Sequence, residues 1–182
     1  RPPRSIRGEQ SGGRAALVEG CRCIGLDGHG YGAANSENVL FLNNEAVGCK
    51  TFFNGDTGLN RNISFAANRA IRCNQGIHFG NPGSGEFSGF QIVGNTFELT
   101  EKWLNEKISP QKYEYSYGVR MSGNVREVAI VGNEFVSANG TRTLLEGMYG
   151  IGTSGSNTGL RVANKFSGIA EAFMSEPLVY VP

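Results

Sequence analysis

Charge is scarce in this chain, and histidine scarcer still. Charged residues make up 18% of the 182 positions, two His are present, and the formal net charge is +1. That balance creates no broad basic field of the kind that gathers nucleic acid, so nucleic acid is not expected as a partner. No apolar run approaches the 18 or more residues that a membrane-spanning helix needs, so membrane insertion is not expected either. The opening stretch, Arg1 to Gly13, is basic and glycine-rich and lacks the apolar centre of a secretion signal. Its start at Arg1-Pro2-Pro3-Arg4 reads as a processed product or a piece of a longer polypeptide. The four Cys do not fall in the paired CxxC clusters of a zinc site. Cys21, Cys23, Cys49 and Cys73 read as core thiols, with disulfide or metal use as the alternative, and Cys49 and Cys73 as the two that adjacent repeats would bring together. No metal and no cofactor is predicted.

Helical periodicity is also missing. What is abundant is glycine, 27 residues of it, with Asn recurring beside it, which suits an all-β chain full of tight turns. Self-similarity then organises the chain. Five segments share two apolar positions one residue apart, followed by Asn: Val39-x-Phe41-x-x-Asn44, Ile63-x-Phe65-x-x-Asn68, Phe90-x-Ile92-x-x-Asn95, Val128-x-Ile130-x-x-Asn133 and, one residue tighter, Leu160-x-Val162-x-Asn164. Two residues after each Asn comes Ala46, Ala70, Phe97, Phe135 or Phe166. A second short strand follows, read at Cys21/Cys23, Thr51/Phe53, Ile77/Phe79, Val119/Met121, Ile151/Thr153 and Ala172/Met174.

The Asn-to-Asn spacings of 24, 27, 38 and 31 residues have a floor near one turn of a parallel solenoid, with the excess available for surface loops. The predicted fold is therefore all-β: a single-stranded right-handed parallel β-helix of about five coils with outward loops. It spans residues 15–175, after an extended or flexible segment 1–14 and before a C-terminal extension 176–182. Like residues of successive coils should stack about 4.8 Å apart. The Asn side chains would then form a ladder that supplies hydrogen bonds to backbone groups at the turn.

Laid out this way, and most clearly in Val128-Ala129-Ile130-Val131-Gly132-Asn133-Glu134-Phe135, the chain resembles the right-handed parallel β-helix superfamily of pectate-lyase-like enzymes and phage tailspike depolymerases. The resemblance implies a protein that binds or degrades polysaccharide along a groove parallel to the helix axis, as a glycoside hydrolase or polysaccharide lyase. It also implies an extracellular or virion-surface location and, as in tailspikes, a trimer. The Asp-Pro-His-Glu signature of alginate epimerases and the paired Asp of polygalacturonases are absent, so no catalytic residue carries over. A non-catalytic structural or carbohydrate-binding shaft is the other reading.

Three surfaces are candidates for function. Leu42, Ala66, Val93, Val131 and Ala163 form an apolar outward column, which calls for cover by this chain or by another subunit. Arg22, Phe52, His78, Arg120, Gly152 and Phe173 form an outward strip where aromatics and cations would meet a sugar's apolar face and its acidic groups. Arg22, Phe52, His78 and Arg120 are its substrate-binding candidates. Two long insertions leave one corner, between Phe97 and Tyr117 and between Phe135 and Tyr149. They contribute Trp103 and Tyr113 as further binding candidates, and Glu98, Glu101, Glu114 and Glu146 as the carboxyl groups of a glycosidase pair. A short helix is expected near Glu101 to Ile108. Elimination from a uronic acid would instead use a cation and a base, for which Arg120, His78 and Tyr117 are available, although Tyr117 is expected to face inward. The run Gly25-Leu26-Asp27-Gly28-His29-Gly30-Tyr31-Gly32 reads as a turn.

Overall fold

The structure, a computed structural model, describes residues 15–26, 28–55, 57–80, 85–100, 116–138, 148–154, 157–169 and 179–180. The chain opens with β1 (Ala16–Glu19), β2 (Arg22–Ile24) and β3 (His29–Gly32). A second round follows as β4 (Ser36–Leu42), β5 (Glu45–Val47) and β6 (Thr51–Gly55), and a third as β7 (Leu59–Ala66), β8 (Arg69–Cys73) and β9 (Gln75–Phe79). In the fourth, β10 (Glu86–Ser88) and β11 (Gln91–Val93) precede β12 (Thr96–Leu99) and β13 (Ser116–Ser122). In the fifth, β14 (Val125–Arg126) and β15 (Val128–Val131) precede β16 (Glu134–Ser137) and β17 (Met148–Ser154). The chain closes with β18 (Gly159–Val162), β19 (Lys165–Ser167) and β20 (Val179–Tyr180). No helix occurs among the described residues. The stretch expected to be helical lies outside them, as does the segment 1–14; the C-terminal extension contributes β20, which pairs with β18.

All pairings are parallel, and they sort the strands into three sheets: β1-β4-β7-β11-β15-β18-β20 with β10 and β14 alongside, then β2-β5-β8-β12-β16-β19, then β3-β6-β9-β13-β17. The chain visits the sheets in rotation and pairs each strand with its counterpart one round later, so each round forms a layer. Three strands per layer replace the two expected from the sequence, because the residues after each ladder Asn make a sheet of their own. This moves Cys21 and Cys23. Cys21 occupies the ladder position of the first layer, its N–H donating to Asn44 Oδ1 (3.0 Å), and Cys23 pairs with Ala46 in the second sheet. The first strand of the third sheet is His29-Gly30-Tyr31-Gly32, in the run expected to be a turn, and Tyr31 O–H donates to the Cys21 carbonyl (2.7 Å).

The corner between the first and second sheets repeats in every layer. Gly20, Asn43, Ala67, Gly94, Gly132 and Ala163 each hold a left-handed conformation, with φ between 53° and 63°. Such a residue bends the chain from one sheet into the next over a single position, at a cost for any residue with a Cβ. The residue that follows is the ladder residue. Asn68 Nδ2 donates to Asn95 Oδ1 (3.0 Å) and to the Phe41 carbonyl (2.9 Å), and its N–H also donates to Asn95 Oδ1 (2.9 Å). Asn44, Asn95 and Asn133 repeat this set toward the next Asn, and Asn164 closes it on the Ile130 carbonyl. The expected alignment of Asn68, Asn95 and Asn133 along one line is present.

Between the sheets lies a single apolar core built from all three. Stacked rings run through it: Phe41 on Phe65 with centroids 5.1 Å apart, Phe79 on Phe90 at 4.2 Å, and Phe97, Phe135 and Phe166 in series at 5.1 Å. Glycines of the third sheet make room for the last series. A Cβ on Gly118 would lie 2.2 Å from Phe135 Cδ1, and one on Gly150 would lie 2.2 Å from Phe166 Cε1. Gly76 stands in the same relation to Phe97 (2.4 Å). In the early layers the sizes are exchanged: the second sheet carries Ala46 and Ala70, and the third carries Phe52, which is fully buried. Core volume is conserved across the two sheets, as close packing demands.

Candidate functional site

Register on the third sheet decides which side chains meet. Thr51 pairs with Gln75, Phe53 with Ile77 and Asn54 with His78; His78 in turn pairs with Arg120, and Arg120 with Gly152. The outward column is therefore Gly32, Asn54, His78, Arg120 and Gly152. Phe52 and Arg22 are not in it. Phe52 is a core residue with none of its surface exposed, its ring centroid 5.1 Å from that of Tyr31. Arg22 belongs to the outer face of the second sheet, where it pairs with Glu45 (2.6 Å), and Arg69 reaches the same carboxylate from the next layer (3.4 Å). Asn54 takes the place expected for Phe52, and His78 Nδ1 lies 3.1 Å from its Oδ1. The signal for Asn54 was present in the sequence: aligning Phe53 with Ile77, instead of two residues further on, puts Asn54 beside His78.

Tyr117 also departs from expectation. It is 4% exposed, yet its ring does not join the core. A Cβ on the outward-facing Gly152 would lie 2.3 Å from that ring, so the absence of a side chain at Gly152 gives the phenol its seat on the outer face. The ring stacks on Tyr149 at 5.5 Å, and the Arg120 guanidinium carbon stands 5.5 Å from its centroid. A cation over an aromatic face is held without losing its charge. Arg22, Arg61, Arg69 and Arg72 are each bridged to a carboxylate, whereas no carboxylate among the described residues bridges Arg120. An amide, an imidazole and a guanidinium thus follow one another on neighbouring strands, at the strand spacing of about 4.8 Å, and the phenol ring of Tyr117, from the same strand as Arg120, lies beyond them over Gly152.

The carboxylates are elsewhere. Glu98 projects from the outer face of the second sheet, 3.7 Å from Arg72, and does not face His78 or Arg120. Glu101, Glu114 and Glu146 lie outside the described residues, together with Trp103, Tyr113, Asp27 and Phe173. The ends of both long insertions do flank the same corner: Thr100 and Ser116 in one layer, Ala138 and Met148 in the next. Under that corner Asn74 is fully buried and donates through Nδ2 to Ser116 Oγ (2.7 Å). No group of three or more metal-binding side chains occurs among the described residues.

On the first sheet, Leu42, Ala66, Val93 and Val131 stand in register as expected, but the fifth member is Val162. Ala163 is instead the left-handed corner residue. Val93 is 42% exposed, and Leu17 and Leu160 on the same face are 58% and 39% exposed.

Fold and site together define an all-β protein of three parallel sheets with a cationic, aromatic strip on one outer face. Comparison with protein-family models, curated proteins and solved structures finds no match.

Proposed function

We propose that the chain is a right-handed parallel β-helix of the pectate-lyase and tailspike kind, and that it binds and cleaves an anionic polysaccharide along its third sheet. The observation that carries this reading is Arg120: a guanidinium set on the Tyr117 ring, opposite His78 and bridged to no carboxylate among the described residues. A uronate carboxylate fits that cation. Neutralising it acidifies the neighbouring C–H, and a base one strand away can then take the proton, which is the chemistry of β-elimination. His78 is that base in this reading: Asn54 orients its ring through Nδ1, and substrate binding must uncover Nε2, which is buried. Hydrolysis by a carboxyl pair has less support, since Glu98 is turned away from the strip.

The uncharged column from Leu42 to Val162, half-buried except for the exposed Val93, supports contact with further copies of the chain, as in a trimer on a virion or outside the cell. Sedimentation at micromolar concentration tests this, and a monomer removes it. The site is tested by mixing the protein with polyuronates and with neutral glycans while following binding and the ultraviolet absorbance of unsaturated uronate. Binding with absorbance supports the lyase. Binding to polyuronate without any product leaves a carbohydrate-binding shaft. No binding to any anionic glycan rejects the reading.

A further inference from the structure

The corner between the second and third sheets also uses left-handed residues in its first three layers: Gly25, Gly48 and Arg72, with φ of 62°, 61° and 52°. The residues that follow are Leu26, Cys49 and Cys73. On one side of this corner Val47 pairs with Ile71, and on the other Thr51 pairs with Gln75. The offset is 24 residues at both ends, so Cys49 lies directly opposite Cys73 on the neighbouring strand. Gly48 N–H donates to the Ile71 carbonyl (2.9 Å), and Gln75 N–H donates to the Lys50 carbonyl (2.9 Å), which fixes both flanks. Cys49 and Cys73 are buried in the core, with none of their surface exposed.

We propose that Cys49 and Cys73 form a disulfide that ties the second layer to the third. Adjacent strand positions put Cα atoms about 4.8 Å apart, inside the window of about 4.4–6.8 Å that a disulfide spans. The Cys49 thiol donates to the Val47 carbonyl (3.7 Å) and that of Cys73 to the Ala46 and Ile71 carbonyls (3.5 and 3.7 Å); the nearness of the two sulfurs draws the Cys49 thiol down to about 7 and pushes that of Cys73 up. The oxidant is a small-molecule disulfide, and the exchange takes place as the chain folds, before the corner closes. One Cys thiolate attacks the oxidised glutathione disulfide and releases one reduced glutathione. The second Cys then attacks the mixed disulfide and releases another, so two thiols become one S–S bond and two electrons pass to glutathione. Cys21 and Cys23 are left out, since Cys21 takes the place of a ladder Asn and Cys23 Sγ donates to the Gly30 carbonyl (3.3 Å).

The experiment refolds the full chain in an oxidised/reduced glutathione mixture and, separately, in reductant. Remaining thiols are alkylated under denaturing conditions, and peptides are mapped without reduction. The expected result is a single linkage joining the peptides of Cys49 and Cys73, with Cys21 and Cys23 alkylated. The oxidised form should melt about 5–10 °C above the reduced one. Four alkylated Cys in the oxidised, folded sample, or a linkage that includes Cys21 or Cys23, overturns the proposal. Cys49→Ser is expected to abolish the redox dependence of melting, and its persistence in that variant overturns the proposal equally. If the variant does not fold, the wild-type peptide map decides.

Discussion

The two corners that flank the second sheet solve the same problem differently. At the first, each layer turns through a left-handed residue, and in all but the first layer, where Cys21 stands, an Asn follows whose amide bonds backbone groups of the neighbouring layers. At the second, the filling residue changes from Cys49 and Cys73 to Leu99, and the chain leaves for long insertions in the later layers. The first corner repeats because its hydrogen bonds are directional and each rung must match the next. The second also carries backbone bonds between layers, but the side chains that fill it, Leu26, Cys49, Cys73 and Leu99, form no amide ladder, so they can be exchanged. The candidate strip begins immediately beyond the tolerant corner, where variation costs little stability.

If that contrast is right, the largest effect belongs to Asn95→Ala. It leaves the Asn68 N–H and the Phe65 carbonyl buried without their partner, at about 1–3 kcal/mol each. Urea denaturation should show a loss of about 4 kcal/mol; a loss under about 1 kcal/mol breaks the comparison. Next comes Gly118→Ala, whose Cβ meets the Phe135 ring and should cost about 1–3 kcal/mol. Combining it with Phe135→Ala should cost less than the sum of the two single changes, which a double-mutant cycle measures. Arg120→Ala should change stability by about 0.5 kcal/mol or less while weakening polyuronate binding about tenfold, equivalent to about 1.4 kcal/mol. Equal affinity in titration calorimetry removes Arg120 from the site. The smallest effect is Ala67→Gly. Ala67 holds φ at 53° where Gly94 and Gly132 stand in later layers, and relief of that conformation should stabilise the protein by up to about 1 kcal/mol in the same urea titration.

The same contrast explains what the sequence disclosed. Asn44, Asn68, Asn95 and Asn133 each donate to and accept from neighbouring layers, so their recurrence marks the layers and predicts the ladder. Where packing alone decides, letters mislead: Phe52 looks like a surface aromatic but is fully buried, and Gly76, Gly118 and Gly150, bare positions in their strands, give no sign of the rings of Phe97, Phe135 and Phe166 that lie over them. Arg22 was misplaced because the second sheet, with strands of three to five residues, is too short to show its own alternation. His78 and Arg120 stand in register as expected because their strands align without a gap in pattern. The outward turn of Tyr117 depends on the bare Gly152 one layer away, which no local window contains.

The ladder has one more consequence. Each internal rung gives and receives the same bonds as its neighbours, so excising or duplicating a block such as residues 45–68, the 24-residue period from just after one Asn through the next, joins like to like at the cut. The stack can therefore lengthen only in whole increments of about 4.8 Å. Evolution or an engineer would tune its reach by counting periods, with no need to redesign the seam.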